Sequence, residues 1–465
     1  MRRTRALLTA LLPLAAAGCT VAGNAAAGDG DTVRIVVGYQ SKTINTVTAG
    51  TLLRSLGAFE RRLAGLGRAE GRRYAVVWQD HDTGAPITAQ MLAGKIDIGS
   101  MGDYPLLING SRAQAQGGDA ATRLVSVTGY NLRGALNSVV VAPGSPARTL
   151  RDLKGRTVST SVGSAGHGTF VQAFRKYGLD ATRDVRIENQ QPSIGASKLQ
   201  SGGADGLAQF VAWPGLLVGK GQARVLYDGG DLGVPTFHGV VVREAFADRR
   251  PRVLQAFLDA QLDATRHLNA EPLRAAESVA AATGLPVETV YLYNGPAGVA
   301  TFDTEIRREL RDALAHDVPF LKSIGVLQKP VDLAAFVDDT HITRARARTA
   351  PIRPARITGT DEVCGKPVTD PAKAGEVWVR GEARPRPVAD PTCLLRTVRS
   401  LEGRPIRAAY VPDTANGTRW FADRDVWVED DGTFKPFTTD EAARRYVAGH
   451  DGARIVSYAE AVRRA

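Results

Sequence analysis

The feature that most constrains this chain is an alternation of short apolar strands and helices that runs once, restarts, and then returns. Val33-Arg-Ile-Val-Val-Gly38 reads as a buried first strand closed by Gly. A helical segment is predicted over about Thr46 to Leu66, a second strand over Tyr74 to Trp78, a helix over Pro86 to Ala93 and a third strand over Ile96 to Ser100. Such β-α-β-α-β order predicts a parallel sheet wrapped by helices. Strands over Val125 to Thr128 and Ser138 to Ala142 extend it. The same order restarts near Ala142, with strands at Thr157 to Ser161, Val185 to Glu188 and Gly206 to Val211 and helices at about Gly168 to Tyr177 and Ile194 to Ser201. The strand Val240-Val-Val-Arg243 then returns to the first unit, and helices follow over Pro251 to Leu268, Leu273 to Ala282 and Thr304 to Ile324. The expectation is an α/β architecture of two lobes joined by two chain crossings, near Asn137 and Pro235. Lobe 1 spans about 32–137 and 235–340, and lobe 2 about 138–234.

The two ends of the chain add further segments. Arg2, Arg3 and Arg5 precede an apolar stretch from Ala6 to Ala17, which fits a signal-peptide core and is too short to span a bilayer. Ala16-Ala17-Gly18-Cys19 resembles a bacterial lipobox, with Ala16 where Leu is commoner. That reading makes residues 1–18 a lipoprotein signal peptide, Cys19 the lipidated first mature residue, and the Ala- and Gly-rich stretch 19–31 a tether. Ordinary signal cleavage beside a bystander Cys is the alternative. Two or three acyl chains hold a protein on a membrane surface, so the expected location is the extracytoplasmic face of the cell membrane. Residues 341–360 carry Arg344, Arg346, Arg348, Arg353 and Arg356 with Pro351 and Pro354 and no acid, and read as a mostly extended linker. Residues 361–465 have apolar content of their own, including Trp378, Trp420 and Trp427, enough for a small α+β domain. Of the three Cys, only Cys364 and Cys393 remain beyond Cys19. In an exported protein they read as one disulfide, with a metal pair as the alternative.

Several function classes are excluded or left without support. The chain is 465 residues long, 43% hydrophobic and 23% charged, which excludes wholesale disorder. Its net charge of +11 is scattered between acids rather than gathered in a stripe, so no nucleic-acid role is expected. Gly163-Ser-Ala-Gly166 lacks the Gly two residues before Ser164 that a nucleophile elbow needs. Gly215-Leu-Leu-Val-Gly-Lys-Gly221 has the wrong spacing for a P-loop and ends in Gly. The seven His are dispersed. No enzyme and no cofactor is expected.

Three loops follow strands and precede helices, where open α/β sheets bind ligands. They are Tyr39-Gln-Ser-Lys-Thr43, Met101-Gly-Asp-Tyr-Pro105 and Ser161-Val-Gly-Ser-Ala-Gly-His-Gly168. Helix-opening loops offer unpaired N–H groups and a positive dipole end, which suits an oxyanion. Ser and Gly serve equally as helix caps. Asp103 reads as a cap as readily as a contact, and His167 is an anion donor if protonated. Trp213, before Pro214, either walls a pocket or fills core.

In order along residues 32–340, several phrases resemble the nitrate/sulfonate/taurine class of ABC-importer substrate-binding proteins. They are Gly38-Tyr-Gln40, Asp82-Thr-Gly-Ala85, Met91-Leu-Ala-Gly-Lys-Ile-Asp-Ile-Gly99, Gly102-Asp-Tyr-Pro105, Leu150-Arg-Asp-Leu-Lys-Gly155, Gly203-Ala-Asp-Gly206 and Ala212-Trp-Pro214. The resemblance implies a two-lobed periplasmic-binding-protein (type II) fold. It implies a monomer that closes on a small anionic or zwitterionic solute and delivers it to an ABC permease with cytosolic ATPase subunits. Implied ligand contacts are Gln40, Ser41, Gly102, Asp103, Ser164, His167 and Trp213. The chain departs from the taurine-type pattern in two places. The Trp213 segment is one or two residues out of register, and His238 stands where that pattern has an acid.

The tail phrases Val363-Cys-Gly-Lys-Pro-Val-Thr-Asp370, Ala389-Asp-Pro-Thr-Cys-Leu-Leu395, Trp420-Phe-Ala-Asp-Arg-Asp-Val-Trp427 and Asp451-Gly-Ala-Arg-Ile-Val-Ser-Tyr458 resemble NosL-type lipoproteins. That resemblance implies a link to copper delivery and, as the alternative function, a copper chaperone or sensor, with a copper site from Cys364, Cys393 and His450 set against a disulfide or inert thiols. The family's Cys-Gly-Met motif reads Cys364-Gly365-Lys366 here, and an ammonium does not suit Cu(I).

Overall fold

The computed structural model describes residues 32–465. The expected leader, Cys19 and the tether over 19–31 lie outside the described residues. Two sheets organise residues 32–340. The first holds β1 (Thr32–Tyr39), β2 (Arg73–Asp80), β3 (Ile98–Gly102), β4 (Thr122–Asn131), β10 (Thr236–Arg243) and β11 (Thr301–Phe302), in the order β11-β4-β10-β3-β1-β2. The second holds β5 (Asn137–Val141), β6 (Thr157–Thr160), β7 (Arg186–Asn189), β8 (Gly206–Phe210) and β9 (Arg224–Asp228), in the order β7-β6-β8-β5-β9. The architecture is mixed α/β with two lobes, and the tail forms sheets of its own.

The first sheet is not parallel throughout, as the alternation predicts. β1 runs parallel to β2 and β3, whereas β10 runs antiparallel to β3 and β4. The reason is topological: β10 re-enters from the second lobe at the end where β3 finishes, so its direction is reversed and His238 lies opposite Gly102. β5 enters lobe 2 the same way and is antiparallel to β8, while β6 is parallel to β7 and β8. The crossings, residues 132–136 and 229–235, pack backbone on backbone. Gly134 sits at φ +100°, and a Cβ there would stand 2.7 Å from the Val234 carbonyl oxygen and 2.9 Å from that of Gly229. Only glycine permits that approach.

Two other expectations give way. The predicted helix over Thr46 to Leu66 is three pieces, a 3-10 turn at Ile44–Ala49 and helices Thr51–Ser55 and Ala58–Glu70, separated at Gly50 and Gly57. The predicted extended linker begins as a helix, Thr340–Ala347. Ile342 and Ala345, three residues apart, bury against the helix Pro251–Ala270 side of the core. Arg346 pairs with Asp303 and Glu305, and Arg348 with Asp259 at 3.0 Å. Those acids are remote in sequence, so the Arg-rich run reads as unpartnered until the chain folds.

The tail does not hang free. Its four-stranded sheet is built from Arg386–Val388, Gly375–Val379, Ile406–Pro412 and Arg419–Phe421, and a three-stranded sheet from Thr433–Phe437, Val426–Asp430 and Arg454–Val456. Strand alternation splits the larger sheet's side chains between two cores. Val377, Val379, Ala409 and Val411 face the tail's own core with Leu394, Leu395 and Trp427. Trp378, Ala408 and Tyr410 face the other way, joining Tyr291, Tyr293, Leu217 and Val218 of the lobes. Cys364 and Cys393 are joined as a disulfide.

Candidate functional site

The carboxyl ends of the parallel strands in both lobes converge on one cleft. A cavity of about 1020 Å³ lies between them. Lobe 1 lines it with Gln40 after β1, Thr83 and Gly84 after β2, Gly102 after β3 and His238 of β10. Lobe 2 lines it with Ser161 to Ala165 after β6, Asn189 to Gln191 after β7 and Phe210 at the end of β8. Four helices start at this lining: Gly84–Leu92, Asp103–Gln116, Ala165–Lys176 and Pro192–Gln200. Their first N–H groups have no partner within the helix, and their dipoles put positive potential into the cleft. Thr83 stands at one of these starts with no side-chain cap bond.

The two His of the lining are neutral donors. His167 accepts from the Gly163 N–H at Nδ1 (3.4 Å), which leaves the proton on Nε2. Burial lowers its pKa to about 4. Ser164 Oγ accepts from the His167 N–H at 3.3 Å, so the Ser164 hydroxyl proton is free to point elsewhere. His238 meets the Asn45 amide at Nδ1, and burial lowers its pKa to about 3. Its Nε2 would lie 3.1 Å from a Cβ on Gly102, so the absence of a side chain there is what lets the ring stand beside the Met101–Pro105 loop. At neutral pH His167 is therefore an uncharged imidazole, so the condition set for it as a charged anion donor is not met, and the ring is buried rather than on the surface.

Among the described residues, the lining contains no Asp and no Glu, and its only charged side chains are Arg112 and Arg186, both exposed. Neither forms an ion pair among the described residues. The apolar side chains of the lining include Ile108, Ile187, Ile324 and Val326, with Val162 and Ile194 standing 44% and 56% exposed.

The expected contacts divide. Gln40, Gly102, Ser164 and His167 line the cavity. Ser41 does not, because its hydroxyl donates to Asp80 Oδ2 (2.6 Å) and its N–H to Oδ1 (2.8 Å). Asp103 lies beneath the lining. Its Oδ2 accepts from Thr236 Oγ1 (2.6 Å) and the Phe237 N–H (3.2 Å), and Oδ1 from the Tyr104 N–H (2.8 Å). Burial, then the nearby Asp317, pushes its carboxyl up to about 7. Asp103 thus pins the start of β10 to the adjoining helix. Trp213 opens the helix Trp213–Gly219 and packs half-buried against the core behind the cleft. Thr83, Asn189, Gln190, Gln191 and His238 were absent from the expected set. Asn189-Gln-Gln191 carries the same signal as the other loops, a strand end followed by Pro192 opening a helix.

A cleft between two α/β lobes, entered by helix N-termini from both, defines a solute-binding fold. Residues 83–275 match the family model described as NMT1/THI5 like. The chain is similar to an Escherichia coli K12 protein named as aliphatic sulfonates-binding, 27% identical over 284 residues, which are 61% of this chain and 82% of that protein. It is similar to the taurine-binding periplasmic protein of the same organism, 28% identical over 201 residues, which are 42% of this chain and 58% of that protein. Its fold matches that of the alkanesulfonate-binding protein SsuA from Xanthomonas axonopodis pv. citri bound to MOPS, with a TM-score of 0.54 and 23% identity, covering 66% of this chain and 98% of that one.

Proposed function

We propose that this protein is the extracytoplasmic solute receptor of an ABC importer, held on the membrane through Cys19. It captures an organic sulfonate by lobe closure and passes it to a permease driven by cytosolic ATPase subunits. The carrying observation is a cleft where four helix N-termini and two neutral His converge and, among the described residues, no carboxylate lines the space. Oxyanions gain from such fixed donors without a counter-charge. An ammonium in the same space finds no acid, and desolvating it there is costly. The solute is therefore a net anion rather than a zwitterion, which sets taurine aside. Nitrate leaves most of the volume empty, whereas pockets of roughly 300–1,000 Å³ suit larger organic ligands. The exposed Val162 and Ile194 supply a wall for an apolar body. Contacts come from both lobes, so bound solute favours the closed arrangement. The oxidised Cys364–Cys393 pair is assigned a structural role, since both sulfurs are spent on each other.

Titration calorimetry with 1-hexanesulfonate, taurine and nitrate tests this reading. The expected order is hexanesulfonate far above nitrate and taurine. Taurine binding as tightly as hexanesulfonate, or a folded protein that binds none of the three, overturns it.

A further inference from the structure

The tail grips the hinge itself. Its turn over Asp413 to Thr418 sits on the second inter-lobe crossing, where Asn416 Nδ2 donates to Asp228 Oδ2 and to Asp231 Oδ1, both at 2.9 Å. Thr418 Oγ1 lies 3.0 Å from where a Cβ on Gly230 would stand. The turn is braced from within. Asp413 Oδ1 accepts from the Ala415 and Asn416 N–H groups, Asn416 Oδ1 accepts from the Thr418 N–H, and Asp413 Oδ2 accepts from the Thr438 N–H at 2.6 Å.

The body of the tail holds both lobes as well. On lobe 1, Tyr410 donates to the Glu288 carbonyl at 2.9 Å and Arg407 pairs with Glu288. On lobe 2, Tyr177 donates to Glu441 at 2.7 Å, and the Phe421 ring packs against Gly219. Lobe closure needs backbone rotation in a few crossing residues. A body fixed to both halves and to the segment between them opposes that rotation. It is seated while the cleft walls at Val162 and Ile194 are open to solvent.

We propose that the tail is a hinge clamp: through Asn416 it holds the second crossing in its open arrangement and so sets how readily the lobes close. This rests on the closing solute receptor proposed above. The clamp stabilises the state that binds solute less well, so the apparent affinity is lower than the closed cleft alone would give.

The test uses Asn416→Asp and Asn416→Ala in the full chain. Asn416→Asp keeps the acceptor for the Thr418 N–H but replaces the donor with a carboxylate facing Asp228 and Asp231, so it is expected to act more strongly than Asn416→Ala. Two readouts need no solute. One is hydrogen exchange of the amides from Gly229 to Val234, expected to speed up about tenfold. The other is pulsed EPR between spin labels at Ala89→Cys and Ser197→Cys, with Cys19→Ser, expected to gain population at shorter distance. The third readout is 1-hexanesulfonate affinity, expected to tighten about threefold to tenfold. Unchanged exchange, faster exchange with an unchanged distance distribution, or a shift to longer distance overturns the clamp. A shortened distance without any hexanesulfonate binding sinks the solute reading and leaves the clamp standing.

Discussion

The cleft and the tail interface are two interior surfaces made from opposite materials. The cleft is lined by helix starts, hydroxyls and amides, with no carboxylate and with two exposed Arg at its edge. Many of its donors have no partner in the protein. The tail interface is aromatic, with the Tyr291 ring tilted against those of Trp378 and Tyr410 at 5.6 Å each. One buried ion pair lies within it. Arg419 and Glu376 pair at 2.6 Å and are 3% and 7% exposed, and Tyr291 donates to Glu376 at 3.0 Å. Burial pushes the Glu376 carboxyl up, and Arg419 pulls it back. The cleft keeps polar groups facing open space, whereas the tail interface buries an ion pair within aromatic packing.

The sharpest way to break this contrast is to strand a charge in the tail interface. Arg419→Met leaves Glu376 buried without its cation and is expected to lower stability by about 3–5 kcal/mol. Adding Glu376→Leu is expected to recover most of it. Urea unfolding followed by tryptophan fluorescence measures both, and an Arg419→Met protein as stable as the parent would mean the interface is wet or loosely packed.

On the cleft side, Ser164→Trp fills the space where two helix starts face each other. It is expected to weaken hexanesulfonate binding at least a hundredfold, read by calorimetry. The same change should cost only about 1 kcal/mol of stability, because a lost N-cap is worth that much. Retained binding would put the solute elsewhere.

The smallest expected effect is one of pH. The folded pKa values of His167 and His238, about 4 and about 3, lie below the ordinary value of 6.5. Neither ring gains a proton between pH 5.5 and 8, so hexanesulfonate affinity should be flat across that range. Stability carries the opposite signature. The unfolded chain protonates these His below about 6.5 and the folded chain does not, so stability falls as pH drops from there toward 4. An affinity that climbs on acidification through pH 6.5 would show a charged His in the cleft.

Much of the scaffold was legible along the chain because the residues responsible are local neighbours. The strand at Val33 to Gly38 announces itself by an apolar run closed by glycine, whereas the helix predicted from about Gly168 begins earlier, at Ala165 behind the Ser164 cap. The mixed direction of the first sheet was not legible, since it depends on where β10 re-enters. The helix at Thr340–Ala347 was missed because its Arg residues find Asp303, Glu305 and Asp259 only after folding. Among the expected contacts, Gln40, Gly102, Ser164 and His167 belong to loops whose position follows from the strand-loop-helix order. Ser41 and Asp103 sit in the same loops, and which neighbour each side chain turned to was settled by Asp80 and Thr236, distant in sequence.

By itself the sequence determined that two α/β units would meet across helix-opening loops, because periodicity, caps and turn residues act over a few neighbouring positions. Only the tertiary structure decided that the cleft would hold no acid, that its His would stay neutral, and that the tail would seat on the hinge. Those outcomes depend on burial and on pairings between residues far apart in the chain, and neither exists until the lobes and tail have packed.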